Sequence, residues 1–167
     1  FNDLTGAGHQ LANSYYAMSN GGWFGLGLGN SIEKQGYLPE AHTDFVFAIV
    51  IEELGFVGAS LILALLFFLI LRVILVGIRA KNPFNSMMAI GIGGMMLVQT
   101  FINIGGISGL IPSTGVTFPF LSQGGNSLWV LSVAIAFVLN IDASEKRLRM
   151  KQEGILFEEK GKIKSYY

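Results

Sequence analysis

Residues 82–141 make up a run of 60 positions without one Asp, Glu, Lys or Arg. A water-soluble domain cannot clothe itself over such a length without charge, so this run alone restricts the chain to an integral membrane fold. Widening the window to residues 55–141 adds only Arg72, Arg79 and Lys81. Net charge over all 167 residues is zero, which gives no indication of nucleic acid or another polyanion as partner. The absence of cysteine excludes disulfides, thiolate metal sites and a Cys nucleophile. Phe1 is not followed by a basic-then-apolar leader, as expected of a stretch from inside a longer protein.

Three stretches have the length and apolarity of spanning helices, at residues 57–78, 86–106 and 127–141, the last somewhat short unless its flanks contribute. All four prolines, Pro39, Pro83, Pro112 and Pro119, fall in connections, where a missing N–H does no harm. The expected fold is therefore all-α and polytopic. Lys and Arg set its orientation: one before the first span, two in the loop at 79–85, none in 107–126, and seven after Ile141. Positively charged loops stay in the cytoplasm, which puts residues 1–56 and 107–126 outside and the basic tail, 142–167, inside.

The outer segment 1–56 carries six carboxylates against one lysine. Residues 8–19 suit a short interfacial helix, and the following GGWFGLGLGN is too rich in glycine to be helical. Its Gly25, Gly27 and Gly29 invite a phosphate-binding reading, but no strand precedes them and no Lys-Ser/Thr pair follows, so tight turns at a crowded surface are the simpler expectation. Thr43 is placed to cap a helix running from Asp44 to Leu54, with Gly55 and Gly58 marking a turn or close packing before the membrane. Residues 107–126 are apolar yet interrupted by Pro112, Gly115, Pro119, Gly124 and Gly125, a composition that reads as a re-entrant, plug-like segment at the outer leaflet.

The densest chemistry lies in YLPEAHTDF, residues 37–45. Glu40, His42 and Asp44 alternate and so share one side of an extended chain, while Glu40 and Asp44 share a face if helical. Two carboxylates at a membrane surface can activate a hydroxyl, hold a divalent cation or cap a helix, and spacing leaves all three open. Three candidate ligands without a fourth are a weak metal signal, and no metal centre is assigned. Lys34, the single cation of residues 1–56, can meet a pyrophosphate or pair with Glu33 in water. Inside the spans, Gln99 and Asn103 stand i, i+4 on one helix face, suited either to interhelical hydrogen bonding or to lining a polar cavity. In SQGGNS, residues 122–127, two glycines precede Asn126, which is positioned to cap the third span.

Two of these blocks resemble the SEDS family of cell-wall polymerases, the family of FtsW, RodA and SpoVE. Residues 37–58, YLPEAHTDFVFAIVIEELGFVG, resemble its extracellular hallmark; Asn103, Gly109, Leu110, Pro112, Gly115 and FLSQGGNS at 120–127 resemble its second block. GLGLGNSIEKQGYLPEAHTDF is closer to the division type than to the elongation type, whereas Ser113 and Gln123 depart from the residues usual at their positions. The resemblance covers residues 1–145 and implies the last three helices of a ten-helix fold, together with the large extracellular loop before them.

It also implies an inverting peptidoglycan glycosyltransferase in the bacterial plasma membrane at the division septum, with lipid II as substrate. The family's essential aspartate falls on Asp44. Lys34, Glu40, His42, Thr43, Gln99, Asn103, Ser122, Gly124, Gly125, Asn126 and Ser127 are then expected around the substrate, with magnesium or manganese the one cofactor to consider beside Lys34 for the pyrophosphate. Implied partners are a class B penicillin-binding protein transpeptidase and other division proteins. A lipid II flippase and a non-catalytic scaffold for a transpeptidase are the competing classes. A flippase calls for ionisable groups within the membrane, and residues 86–141 hold none.

Overall fold

The computed structural model describes residues 7–30, 46–112, 115–122 and 125–164. They form four helices, α1 (Ala7–Gly21), α2 (Val46–Arg79), α3 (Pro83–Ile107) and α4 (Gly125–Lys164), with no strand among the described residues. Three are long and apolar enough to cross a membrane.

α2 and α3 form the best-packed pair. Beyond Gly55 the buried positions of α2 are Ala59, Leu66, Ile70, Val73 and Gly77; on α3, as far as Asn103, they are Ala89, Gly93, Met96, Thr100 and Asn103. Both series step by three, four or seven, the spacing of a seam between helices that coil gently about each other. Glycine sets the distance of approach, because a Cβ on Gly93 would come within 2.7 Å of Ile74 Cγ1, and one on Gly77 within 2.7 Å of Ile90 Cγ1 and 3.0 Å of the Ile90 nitrogen. Such small-residue contacts hold membrane helices together where lipid and side chain are equally apolar. α4 adds a sparser seam of Leu131, Val138, Ile141 and Glu145.

The tight turn between α2 and α3 follows from Asn82, whose Oδ1 accepts from the Phe84 N–H at 3.0 Å, with Pro83 opening the helix where no donor is needed. α4 braces this turn. Glu145 Oε1 accepts from the Lys81 N–H at 3.2 Å, Arg149 donates to the Arg79 carbonyl at 3.0 Å, and Lys81 Nζ donates to Gln152 at 2.7 Å.

Three boundaries differ from the sequence reading. The helix expected to end at Leu54 and the span expected from Val57 are one element, α2, interrupted only at Gly55 (φ 71, ψ 179). The helix that contains the third apolar stretch does not stop at Ile141. It runs 40 residues to Lys164, about 60 Å at 1.5 Å per residue, because strong helix formers and an Asp142–Lys146 ion pair of 2.6 Å follow the apolar stretch. α4 also begins at Gly125, so Asn126 stands exposed inside its first turn instead of preceding it as a cap.

Substituting Gly93→Val in the full-length protein is expected to overpack the seam and destabilise it by about 1–3 kcal/mol. Gly154→Ala, whose Cβ meets nothing within 4 Å, should leave stability unchanged or raise it slightly. Thermal unfolding of the detergent-purified variants reads both.

Candidate functional site

Lys34, Glu40, His42, Thr43, Asp44 and Gly124 lie outside the described residues. The two pieces of chain that bracket residues 31–45 are described, and they are joined to each other.

Breaking a helix at Gly55 separates two i, i+4 pairs, Glu52 C=O with Phe56 N–H and Glu53 C=O with Val57 N–H. The loop after α1 takes both halves of each. Leu26 N–H donates to Glu52 O and Gly27 N–H to Glu53 O, each at 2.9 Å; Phe56 N–H donates to Gly22 O at 2.9 Å and Val57 N–H to Trp23 O at 3.3 Å. The loop residues are themselves four apart, so two helical spacings have exchanged partners. Glycine makes this possible twice over. Gly25 and Gly55 both have positive φ, and a Cβ on Gly25 would fall 2.2 Å from Glu53 O while one on Gly55 would fall 2.4 Å from the Gly25 nitrogen. Within the described residues the N–H groups of Gly25, Leu26 and Gly27 are taken by carbonyls of α1 and α2, and the backbone of the glycine run closes the break in α2.

α1 continues this close approach. Ser14, Ala17 and Gly21 are buried, and a Cβ on Gly21 would clash with the Ile51 carbonyl. α1 also closes the end of α3, Tyr15 Oη donating to Ser108 O at 2.7 Å and Ser14 Oγ to Ile107 O at 3.4 Å. Glu52 is fully buried beneath it.

The irregular chain after α3 folds onto the same end of the bundle. Gly109 (φ 69) turns α3 off, with Leu110 N–H donating to Gly105 O at 3.0 Å. Asn103 donates from Nδ2 to Val116 O at 2.8 Å, so this member of the polar stripe ties a helix to a loop. Gln99, one turn deeper, has a buried Oε1 with no hydrogen-bond partner among the described residues. Ser122 is buried and closes a tight turn: its Oγ accepts from Phe118 N–H at 2.7 Å and its N–H donates to Phe118 O at 3.2 Å. The turn holds Phe120 at φ 64, a strained value for a non-glycine residue. Phe118 is buried and stacks on Phe47 of α2 with centroids 4.9 Å apart. Residues 118–121 also wall an apolar groove of about 270 Å³ with Ile62, Leu65, Leu66 and Leu69.

Of the sequence-named residues, Asn103 and Ser122 therefore converge on one loop, while Asn126 and Ser127 stand in the first turn of α4, exposed and half-buried respectively. Among the described residues no three His, Cys, Asp or Glu side chains gather as metal ligands. Phe47, Phe118 and the Gly25–Gly55 contact were not singled out from sequence, although small residues at 14, 17 and 21 on one helix face hint at the approach of α1 to α2.

The sequence matches the family model of cell cycle proteins FtsW, RodA and SpoVE over residues 1–147. It is 64% identical over 152 residues to a probable peptidoglycan glycosyltransferase FtsW of Lactococcus lactis, covering 91% of this chain and 36% of that protein. It is 52% identical to the Enterococcus hirae protein of the same description, covering 91% and 38%, and 48% identical to that of Bacillus subtilis, covering 92% and 38%. The chain thus spans little more than a third of the length of these relatives. Among solved structures it is similar to a variant of the Thermus thermophilus rod shape determining protein RodA, with TM-score 0.59, 32% identity, and coverage of 64% of this chain and 36% of that one. It is also similar to a chain from a structure of a peptidoglycan synthase complex concerned with coordination of polymerization and crosslinking, with TM-score 0.66, 27% identity, and coverage of 87% and 39%.

Gly55→Ala is expected to force a left-handed backbone and a backbone clash at once, lowering full-length stability by more than the roughly 1–3 kcal/mol of an ordinary strained position. Asn103→Leu, which leaves Val116 O without its donor, should cost about 1–3 kcal/mol if water cannot reach the carbonyl. Thermal unfolding, with limited proteolysis of the outer loop, distinguishes the two.

Proposed function

The chain belongs to the FtsW, RodA and SpoVE family of cell cycle proteins, and from that premise we propose that it carries the catalytic segment of a peptidoglycan glycosyltransferase acting on lipid II at the outer face of the bacterial plasma membrane. The observation that carries the reading is the exchange of hydrogen bonds at Gly55. It pins the chain on both sides of residues 31–45, which contain YLPEAHTDF, to one end of a membrane-spanning helix. Arg149, one of the basic residues after Ile141, donates to the Arg79 carbonyl beside the α2–α3 turn, at the opposite end of α2, and charge distribution assigns that end to the cytoplasm. The pinned segment then faces outward.

In this reading Asp44 is the catalytic base. It accepts the proton of the acceptor GlcNAc 4-hydroxyl as that oxygen forms its bond to C1 of the donor MurNAc. The C1–O bond to undecaprenyl pyrophosphate breaks on the other face, inverting the anomeric centre, and the pyrophosphate leaves with the bonding pair. Lys34 stands against the charge on the leaving group; a divalent cation, when bound, would supply further neutralisation there. Glu40, His42 and Thr43 position the sugars. Ser122, Gly124, Gly125, Asn126 and Ser127 shape the wall facing the lipid, and Gln99 and Asn103 set the depth of that wall.

A transpeptidase of the class B penicillin-binding type is the proposed partner, since glycan strands need crosslinking and one structural neighbour comes from a synthase complex that coordinates the two steps. Placement among the division proteins at the septum follows the similarity to FtsW relatives. The flippase reading has less support: residues 86–141 lack ionisable groups, and Asn103 already holds Val116.

Asp44→Asn in the full-length protein should lower polymerisation of purified lipid II by about 10²- to 10⁴-fold, the range of general base catalysis, while lipid II binding is retained. Glycan strands made at the wild-type rate by this variant contradict the assignment.

A further inference from the structure

The loop that closes the α2 break turns Gly25 inward and its bulky residues outward. Trp23, Phe24 and Leu28 are 69%, 86% and 76% exposed. Large apolar side chains rarely stand in water together on a stable surface, so something apolar covers them.

Their height is fixed by the backbone. Gly22 and Trp23 accept from Phe56 and Val57, so these loop residues lie level with the first turn of α2 below Gly55. From Phe56 to Arg79 the helix runs about 36 Å at 1.5 Å per residue, against a hydrocarbon core of about 30 Å. With Arg79 among the headgroups of one leaflet, Gly55 stands at the polar boundary of the other. The Trp23 ring also meets Phe56, the first side chain of this run, edge to face with centroids 5.8 Å apart. The exposed loop surface is therefore continuous with the membrane surface of α2.

Composition agrees. Residues 4–32 contain no Asp, Glu, Lys or Arg, and tryptophan with its apolar ring and N–H favours the headgroup boundary. Packing between membrane helices uses small residues at the contact; here Gly25 and Gly55 are already committed to each other, and the apolar side chains left outside are the bulky Trp23, Phe24 and Leu28. What remains outside suits a fluid partner more than a close-fitting helix.

We propose that the loop from Gly22 to Asn30 is a lipid-seated anchor: Trp23, Phe24 and Leu28 enter the headgroup and upper acyl region of the leaflet opposite the basic tail, and the Gly25–Gly55 contact transmits that seat to α2. The anchor holds the chain that leads into residues 31–45 at a constant height above the bilayer. The seat itself does not depend on the catalytic assignment.

The test uses the full-length protein in lipid nanodiscs, with native cysteines elsewhere removed and a nitroxide attached through F24C or, separately, L28C. Collision with oxygen and with a water-soluble nickel chelate is compared with lipids labelled at the headgroup and along the acyl chain. Both positions are expected to show oxygen access at least severalfold above that of the headgroup label, with nickel access reduced by a similar factor. Nickel access equal to that of an aqueous site overturns the proposal. So does shielding from both reagents, which means that protein covers the loop. Agreement between the two sites guards against distortion by either substitution.

Discussion

The architecture rests on a reciprocal exchange of backbone hydrogen bonds at the break in α2. A helix interrupted near the membrane surface exposes carbonyls and N–H groups that lipid cannot satisfy. The loop after α1 presents partners at the same four-residue spacing, so Leu26, Gly27, Phe56 and Val57 all donate across the contact. Approach this close is open only to glycine at positions 25 and 55. One contact consequently satisfies the broken helix, seats α1 and fixes where the acidic segment leaves and rejoins the membrane helix.

Below the break, α2 and α3 pack along one seam, and the irregular chain is assembled on the end that carries Gly55. Phe47, above the break, stacks on Phe118; Asn103, at the top of α3, holds Val116; Ser122 closes the turn that carries Phe118. The outer loop is thereby coupled to both parts of α2 and to α3, although its sequence is full of helix breakers. α4 packs more lightly along its membrane stretch and contributes mainly at the other end, where Glu145 and Arg149 brace the α2–α3 turn. The substrate reading assigned to the outer end asks for this division of labour, because a polymerase acting on a lipid-anchored sugar needs fixed geometry at the surface and none of the intramembrane charges of a translocator.

The membrane class was plain from the uncharged run, since no other fold tolerates it. The three spans and the short helix at residues 8–19 were legible for the same kind of reason: apolar length and glycine punctuation are local properties. Misplaced boundaries had local causes too. Gly55 looked like the end of a helix because its conformation does break one, but residues 22–27 splice the two halves, and a pairing across about 30 positions of sequence leaves no local trace. α4 outran its apolar stretch because helix propensity continues through Asp142 and Lys146 after hydropathy has stopped. Asn103 was recognised as a buried polar group, but its partner Val116 was not, since a loop carbonyl carries no signature. The proposed catalytic residue Asp44 was read from motif resemblance, and it lies outside the described residues, as do Lys34, Glu40, His42, Thr43 and Gly124.

Hydrogen exchange across residues 22–30 of the full-length protein in nanodiscs, followed by mass spectrometry of overlapping peptides, tests this account most directly. The amides of Gly25, Leu26 and Gly27 donate to Gly21, Glu52 and Glu53, so three deuterons should enter this glycine-rich loop as slowly as they enter α2. Complete exchange of the loop at the shortest labelling time, with α2 still protected, would mean that the contact at Gly55 does not hold this end of the bundle together.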